Sequence, residues 1–328
     1  MNRRELISLL GAATTWPFGA RAQSSERIRR IGVLIGLGAN DPEAKPRVAA
    51  LEEGLAQAGW VKDRNLRIEY RWANNADALR SDATELVAMA PDAVLASSTP
   101  VTIAFKNLHA DLPIVFVQVT DPVGEGLVAS LGHPGGHLTG FTSFEFSVGT
   151  KWLETLKQVA PRVRRVGLLF NPQTAPFADL FVRPMQAASS SFDLTLKLMG
   201  SPAFAEIEAM VAAFAREPDG ALIVLPDLSA FNYREGLIAL AARHRLPAIY
   251  PFRVFVASGG LLSYGTDSAH VFRSAASYVD RVLKGEKPAN LPVQAPSKYE
   301  FAVNLKTAQT LGLDVPPTLL ALADEVIE

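Results

Sequence analysis

Short apolar runs alternate with longer segments of helical spacing along most of the chain. Between 91 and 123, the runs Ala93–Ala96 and Pro113–Val119 are rich in Val and Ile, and a helical segment begins between them at about Pro100. The runs are too short for helices, so the pattern predicts two parallel strands joined by a crossover helix. An earlier run, Ile31–Ile35, predicts the first buried strand in the same way.

Three landmarks of this pattern occur in the same order in both halves of the chain. Each segment of the first half has a counterpart in the second: Arg29–Leu34 with Arg164–Leu169, Pro91–Leu95 with Pro218–Leu222, and Leu112–Val115 with Leu246–Ile249. An ordered repeat favours two similar lobes over one long sheet. The sequence therefore predicts an α/β fold with two doubly wound lobes, each built on a parallel sheet.

The last third of the chain continues the alternation. Helical spacing predicts helices over 233–243, 269–283, 306–312 and 316–326. A last strand is predicted at Tyr299–Asn304.

Small polar residues follow several of the predicted strands at the point where each strand ends. In a doubly wound sheet the carboxyl ends of the strands line the crevice where ligands bind. Residues at or near such tips are therefore the candidate ligand contacts. They are Asn40, Ser98, Thr99, Thr120, Asp121, Asn171, Asp227 and Asp267.

Some of these residues also have a purely structural interpretation. Ser98 and Thr99 fit as caps of the helix that begins near Pro100, and Asp267 fits as the cap of the next predicted helix. Asp121 precedes a proline and fits a turn. The ligand interpretation adds that a helix N-terminus suits a carboxylate, and that an aspartate suits an ammonium group. Both interpretations stay open at this stage.

The composition describes a folded globular protein with little net charge. The chain has 328 residues, 48% of them hydrophobic and 20% charged, and a formal net charge of −1. That length accommodates two domains of ordinary size. The near-neutral balance offers no basic field for nucleic acid and no polybasic membrane patch. The chain has no cysteine, which excludes disulfides and thiolate chemistry.

Motifs for cofactor or metal chemistry are incomplete in this sequence. The loop Gly36-Leu37-Gly38 lacks the third glycine of a dinucleotide-binding fingerprint, because Asp41 stands in its place. His133 and His137 flank a Pro-Gly-Gly turn and have no third ligand nearby in the sequence. Nucleophile elbows, zinc motifs and phosphate-binding loops are missing as well. We therefore expect no cofactor, no metal and no enzymatic activity.

Residues 1–22 have the three parts of an export signal. Arg3-Arg4 begins it, Leu6–Ala13 is a short apolar core, and Ala20-Arg21-Ala22 is a small-x-small cleavage site. The segment around the two arginines is twin-arginine-like, with general secretion as the other route. The signal predicts a cleaved, periplasmic protein.

Five short motifs together resemble the ABC-transporter substrate-binding proteins of the tryptophan and aromatic amino-acid type. They are Thr120-Asp121-Pro122-Val123, Pro134-Gly135-Gly136, Tyr264-Gly265-x-Asp267, Leu283-Lys284-Gly285-Glu286 and Asn304-Leu305-Lys306-Thr307-Ala308. The resemblance implies a type I periplasmic binding protein fold, with two lobes joined by three hinge crossings. We expect an N-terminal lobe of 27–143 plus 266–292 and a C-terminal lobe of 144–265 plus 293–328.

The resemblance also implies a function and partners. A small amino acid or related carboxylate, with an aromatic or branched apolar side chain, would be clamped between the lobes and delivered to an ABC permease in the inner membrane. Ser98 and Thr99 resemble the strand tip that meets the ligand carboxylate. Asp121, Asp227 and Asp267 match acidic tips that face the cleft. We expect a monomer with no nucleic-acid partner.

Two other functions stay open at the level of the sequence. The same fold serves ligand sensors that act on a chemoreceptor or kinase, and only the partner distinguishes them from transport receptors. An α/β enzyme that uses the aspartates as acid and base is the third hypothesis.

The export signal leads to a test of its own. We expect the secreted protein to begin at Gln23, because cleavage follows the small residue Ala22. N-terminal sequencing of protein recovered from the periplasm measures this, and an intact Met1 on that material would contradict it.

Overall fold

A computed structural model of the chain describes residues 27–108 and 111–328, so the export signal predicted over 1–22 lies outside the described residues. The first sheet has five strands: β1 (Arg29–Ile35), β2 (Leu66–Trp72), β3 (Ala93–Ser97), β4 (Ile114–Val119) and β5 (Leu138–Thr142). All neighbouring strands are parallel, in the spatial order β2-β1-β3-β4-β5.

A second sheet of seven strands follows in the chain. Its strands are β6 (Arg165–Phe170), β7 (Thr195–Gly200), β8 (Gly220–Val224), β9 (Ala248–Tyr250), β10 (Leu262–Thr266), β11 (Tyr299–Asn304) and β12 (Glu325–Ile327). They lie in the order β12-β11-β10-β9-β8-β6-β7, with β10 and β11 antiparallel and the other neighbours parallel. The predicted fold class, two α/β lobes with mainly parallel sheets, is confirmed.

Helices cover the two sheets. They are α1 (Ala44–Gln57), α2 (Ala76–Ala88), α3 (Thr99–Asn107), α4 (Val148–Val159), α5 (Ala178–Ser189), α6 (Phe204–Phe214), α7 (Leu228–Asn232), α8 (Arg234–Arg243), α9 (Arg253–Ala257), α10 (Ser268–Leu283), α11 (Leu305–Leu311) and α12 (Pro317–Leu320). Strands covered on both faces become continuous apolar runs, and β3 and β8 are buried at every position. Within the described residues, none of these helices has the length and apolar character to cross a bilayer.

Helix α10 follows the second lobe in sequence but packs on the first lobe in space. It contacts α1 and β4, and the indole N–H of Trp60 donates to Asp280 on α10 at 2.8 Å. The two helices approach closely at Gly54. A Cβ there would lie 2.7 Å from the Cβ of Ala276 and 2.8 Å from the carbonyl oxygen of Arg273.

The segment that follows α10 stays along the first sheet for a few residues. The N–H of Gln294 donates to Gly140 at 2.9 Å, and Gln294 accepts from the N–H of Thr142 at the same distance. Val293 packs in a cluster with Phe116.

The prediction of a helix over 316–326 is wrong. Only one turn forms there, α12, and β12 then pairs in parallel with β11 at the sheet edge. The side chain of Asp324 accepts from the N–H of Phe301 at 2.8 Å, which fixes the approach of β12 to that edge. The short helices α7 and α9 were not predicted, and the predicted helix over 233–243 corresponds to α8.

The contact at Gly54 gives a test of the α1–α10 packing. We expect Gly54→Ala to lower the free energy of unfolding by about 1–3 kcal/mol, because the added methyl overpacks against backbone atoms of α10. In a helix interior, alanine is normally more favourable than glycine by about 1 kcal/mol, so a loss of stability has the opposite sign to the change that helix propensity predicts. Urea denaturation of wild type and variant measures the difference in the free energy of unfolding. Gly132→Ala, where a Cβ meets no atom within 4 Å, is the control, and a stabilised Gly54→Ala would contradict the packing.

Candidate functional site

The two lobes meet at a cavity of about 490 Å³, a volume that includes space open to solvent. Its first-lobe wall comes from residues after β1, β3 and β4, and its second-lobe wall comes from residues after β6, β8 and β9. The carboxyl ends of strands from both sheets therefore meet at one space, as the doubly wound topology requires.

Ser98 occupies the turn between β3 and α3 with an unusual backbone. Its φ is +95°, a left-handed region that non-glycine residues adopt at a cost of about 1–3 kcal/mol. Its hydroxyl is buried, has no hydrogen-bond partner among the residues that the structure describes, and lies at the cavity wall. A strained residue with an unused hydroxyl at a cavity is a candidate ligand contact.

Thr99 and Thr120 lie beside Ser98 on the same wall. Both are buried, and the hydroxyl of Thr99 accepts from the N–H of Thr120 at 3.3 Å. This bond joins the tips of β3 and β4. Because α3 begins at Thr99, the free N–H groups of its first turn lie at this end of the helix. The first lobe thus offers donors suited to a carboxylate.

Asp227 supplies the acidic side chain of the opposite wall. It caps α7 by accepting from the N–H of Ala230 at 2.7 Å, and it also accepts from the N–H of Asn171 at 3.2 Å and the hydroxyl of Thr174 at 3.1 Å. Burial raises the pKa of Asp227 to about 6 against these hydrogen bonds, which lower it. A carboxyl group held in this way favours a cationic partner.

Arg47 reaches the cavity from α1 and is only 3% exposed. Its guanidinium donates to the side chain of Gln118 at 2.9 Å and to the hydroxyl of Ser268 at 3.4 Å. Gln118 in turn donates to Ser268 at 2.8 Å and has a φ of +57° at a bulge in β4. Burial lowers the pKa of Arg47, with opposing contributions from Glu43 and Asp41.

The remaining wall is apolar and aromatic. Phe177, Phe231 and Phe252 line it from the second lobe, and Leu37 lines it from the first. The rings of Phe231 and Phe252 lie 5.6 Å apart at 59°. Polar groups on both walls together with an aromatic surface suit a small molecule with a charged head and an apolar side chain.

Contacts between the lobes hold the cavity closed. Arg234 on α8 donates to Asp41, which follows β1, at 2.6 Å, and each side chain is 9% exposed. The amide of Asn232 donates to the carbonyl oxygen of Asn74 at 3.1 Å. Both bonds join one lobe to the other at the rim of the cleft.

The structure brings together four of the eight predicted site residues. Ser98, Thr99, Thr120 and Asp227 line the cavity. Asn171 does not line this cavity but contacts a residue that does. Its N–H donates to Asp227, and its side chain accepts from the N–H of Gln173.

The other three predicted site residues lie away from the cavity wall. Asp121 closes a turn by accepting from the N–H of Gly124 at 2.9 Å. Asp267 caps α10 and pairs with Lys298 at 2.7 Å. Asn40 is exposed and, together with Asp41, lines a groove that is separate from the cavity. For Asp121 and Asp267, the structural interpretation describes their contacts.

Sequence reasoning missed Arg47, Gln118 and the aromatic wall. Arg47 lies one helical turn before Leu51 and two before Leu55, so it continues the buried face of α1. Gln118 interrupts the apolar run of β4 just before its tip. A charged residue on an apolar helical face and a polar residue inside a buried strand are signals that the sequence contained.

A bilobed α/β architecture that closes on a cavity between strand tips defines a type I periplasmic binding protein. A family model described as ABC transporter substrate binding protein matches residues 39–327. The chain therefore belongs to the family of ABC transporter substrate-binding proteins, which is not a family of enzymes.

Relatives with known names or structures agree with this assignment. A tyrosine-binding protein of Clostridioides difficile is 26% identical over 292 residues, which cover 88% of this chain and 82% of the relative. The structure of an ABC domain from Streptococcus pneumoniae in complex with L-Trp is 26% identical, with a TM-score of 0.83, covering 91% of this chain and 99% of that one.

A third relative informs the fold alone. The ligand-free, open structure of a substrate-binding protein from Clostridium difficile is 24% identical and has a TM-score of 0.69, covering 92% of this chain and 99% of that one.

The environment of Asp227 gives a pH-dependent prediction for the ligand-free protein. Its folded-state pKa of about 6 exceeds its ordinary value of 3.8, so the folded protein binds more protons than the unfolded chain between these pH values. The free energy of unfolding therefore falls as the pH rises through that window. The Asp227→Asn variant lacks this titration. We therefore expect its free energy of unfolding, relative to that of wild type, to increase by about 1–3 kcal/mol from pH 4 to pH 7. Urea denaturation at both pH values measures the difference, and a constant offset would contradict it.

Proposed function

We propose that this protein is the periplasmic receptor of an ABC importer and that it clamps an amino acid or related small carboxylate with an aromatic or branched apolar side chain. The observation that carries the proposal is a cavity with hydroxyls and a helix N-terminus on its first-lobe wall, and a buried aspartate with three phenylalanines on its second-lobe wall. A zwitterion with an apolar side chain complements all three features.

The ligand carboxylate belongs at the first-lobe wall in this proposal. There the hydroxyl of Ser98 is unpartnered and Thr99 begins α3. The α-ammonium belongs at Asp227, and a charge-assisted bond of this kind is worth about 1.5–3 kcal/mol. Micromolar affinity requires about 8 kcal/mol, which two such bonds and burial of an apolar side chain supply after the cost of association.

Closure of the lobes is the step that makes binding selective. Because the proposed carboxylate and ammonium sites lie on different lobes, a ligand that makes both contacts binds the closed form better than the open form. Arg234 and Asp41 meet at the rim when the lobes are closed. The closed form is the one that a permease would recognise.

Two relatives support the ligand class. One is named for tyrosine binding and one was solved with L-Trp, and each is 26% identical to this chain. Phe177, Phe231 and Phe252 provide an aromatic surface against which such a side chain would pack. The proposal extends to an inner-membrane permease as partner, to a monomeric state and to binding without turnover.

A thermal-shift screen of the L-amino acids and small aromatic acids tests the proposal. We expect one of these compounds to raise the melting temperature of wild type, because a ligand that binds only the folded state stabilises it. We expect Asp227→Asn and Ser98→Ala each to weaken that ligand at least tenfold by calorimetry.

Asp179→Asn is the matched control. Asp179 is an exposed carboxylate in the first turn of α5, on the same lobe as Asp227, and its replacement should leave the affinity unchanged. A response only to neutral sugars would overturn the ligand class. Consumption of the ligand during incubation would favour an enzyme.

A further inference from the structure

We propose that Arg47 is a ligand-binding residue that selects for an anionic group and couples that contact to closure of the lobes. The inference rests on the proposed function and deepens it by adding a cationic side chain to the carboxylate site. Arg47 lies on α1, a helix rather than a strand tip, and belongs to none of the motifs that carry the resemblance to the family.

The hydrogen bonds of the guanidinium leave one of its donors unpaired. Arg47 lines the cavity, and its terminal nitrogens bond to Gln118 and Ser268, but its buried Nε has no partner among the described residues. The unpartnered hydroxyl of Ser98 lines the same cavity from the same lobe. A buried N–H without an acceptor is costly, so a bound acceptor at this place relieves two groups together.

Charge near Arg47 is balanced only loosely inside the first lobe. The nearest carboxylate, that of Glu43, lies 3.7 Å from the guanidinium. Asp41 is committed to Arg234 at 2.6 Å. Arg47 therefore has capacity for a further anion at the cavity. The Nε of Arg234 also lacks a partner within the described residues, but Arg234 has the close carboxylate of Asp41 and lies outside the cavity wall.

The guanidinium also touches the opposite lobe, because its central carbon lies 4.9 Å from the ring centre of Phe231 on α7. On its own lobe, the same carbon lies 5.8 Å from the ring centre of Phe272 on α10. Phe231 follows Asp227 by four residues in the same capped helix. An anion held by Arg47 is thus held by a group whose cation–π contact exists only when the lobes are together.

The test compares ligands that differ only in the carboxylate. The probes are L-tryptophan with tryptamine and L-tyrosine with tyramine, measured by calorimetry, with competition against the acid for the weaker amine. We expect Arg47→Met to weaken the amino acid about tenfold to hundredfold and the amine less than threefold, because only the former has the anion. Arg47→Lys keeps the charge but lacks the Nε–H and the planar fork, and we expect about a tenfold loss.

Arg234→Met is the matched control. It removes an equally buried arginine that also joins the lobes, so we expect it to weaken the acid and the amine by the same factor. We compare the ratio of the affinity for the amino acid to the affinity for the matching amine. If this ratio is the same in Arg47→Met as in wild type, the assignment of Arg47 is overturned. If Arg47→Met does not fold, the same affinity ratio measured in Arg47→Lys still tests the assignment.

The outcomes separate this inference from the proposed function. Wild type that binds none of the amino acids or small aromatic acids would overturn the proposed function and the role of Arg47 with it. Wild type that binds the acid, with the ratio unchanged in both Arg47 variants, would overturn the role of Arg47 alone. An affinity ratio of amino acid to amine that falls in Arg47→Met and Arg47→Lys, but is unchanged in Arg234→Met, supports the role of Arg47.

Discussion

Charge buried between the lobes is the constraint around which the cleft is built. Arg47, Asp227 and the pair of Asp41 and Arg234 are all nearly removed from water. An ionised group at such a depth needs partners, since desolvation otherwise costs several kcal/mol. The capped start of α7, the side chain of Gln118 and the hydroxyl of Ser268 provide them. The local geometry of the strand tips follows from the need to hold these groups.

Two residues with left-handed backbone geometry lie where the first lobe meets the cavity. Ser98 and Gln118 both have positive φ, +95° and +57°. Ser98 directly follows β3, and Gln118 is the last residue but one of β4, so both lie where these strands reach the cleft. The register between β4 and β5 shifts at the same place as Gln118. A regular strand would direct alternate side chains to the two faces of the sheet. The irregularity brings adjacent polar residues to a single edge instead.

The sequence predicted the lobes and half of the candidate site. Short apolar runs bounded by polar residues locate strand tips without tertiary information, which is why Ser98, Thr99, Thr120 and Asp227 emerged. Arg47 was missed because its role depends on a second-lobe ring, Phe231, far away in sequence. The last strand, β12, was read as helix because its conformation depends on pairing with β11 and has little local signal.

The position of α10 sets the order in which the protein can be completed during synthesis. This helix ends at Leu283, after five of the seven strands of the second sheet, yet it covers α1 of the first lobe. A nascent chain that has emerged only as far as β5 has made every strand of the first sheet and still leaves the apolar stripe of α1 uncovered. Burial of this face of α1 by α10 therefore has to follow synthesis of most of the second sheet, and one buried apolar cluster contains residues of both lobes.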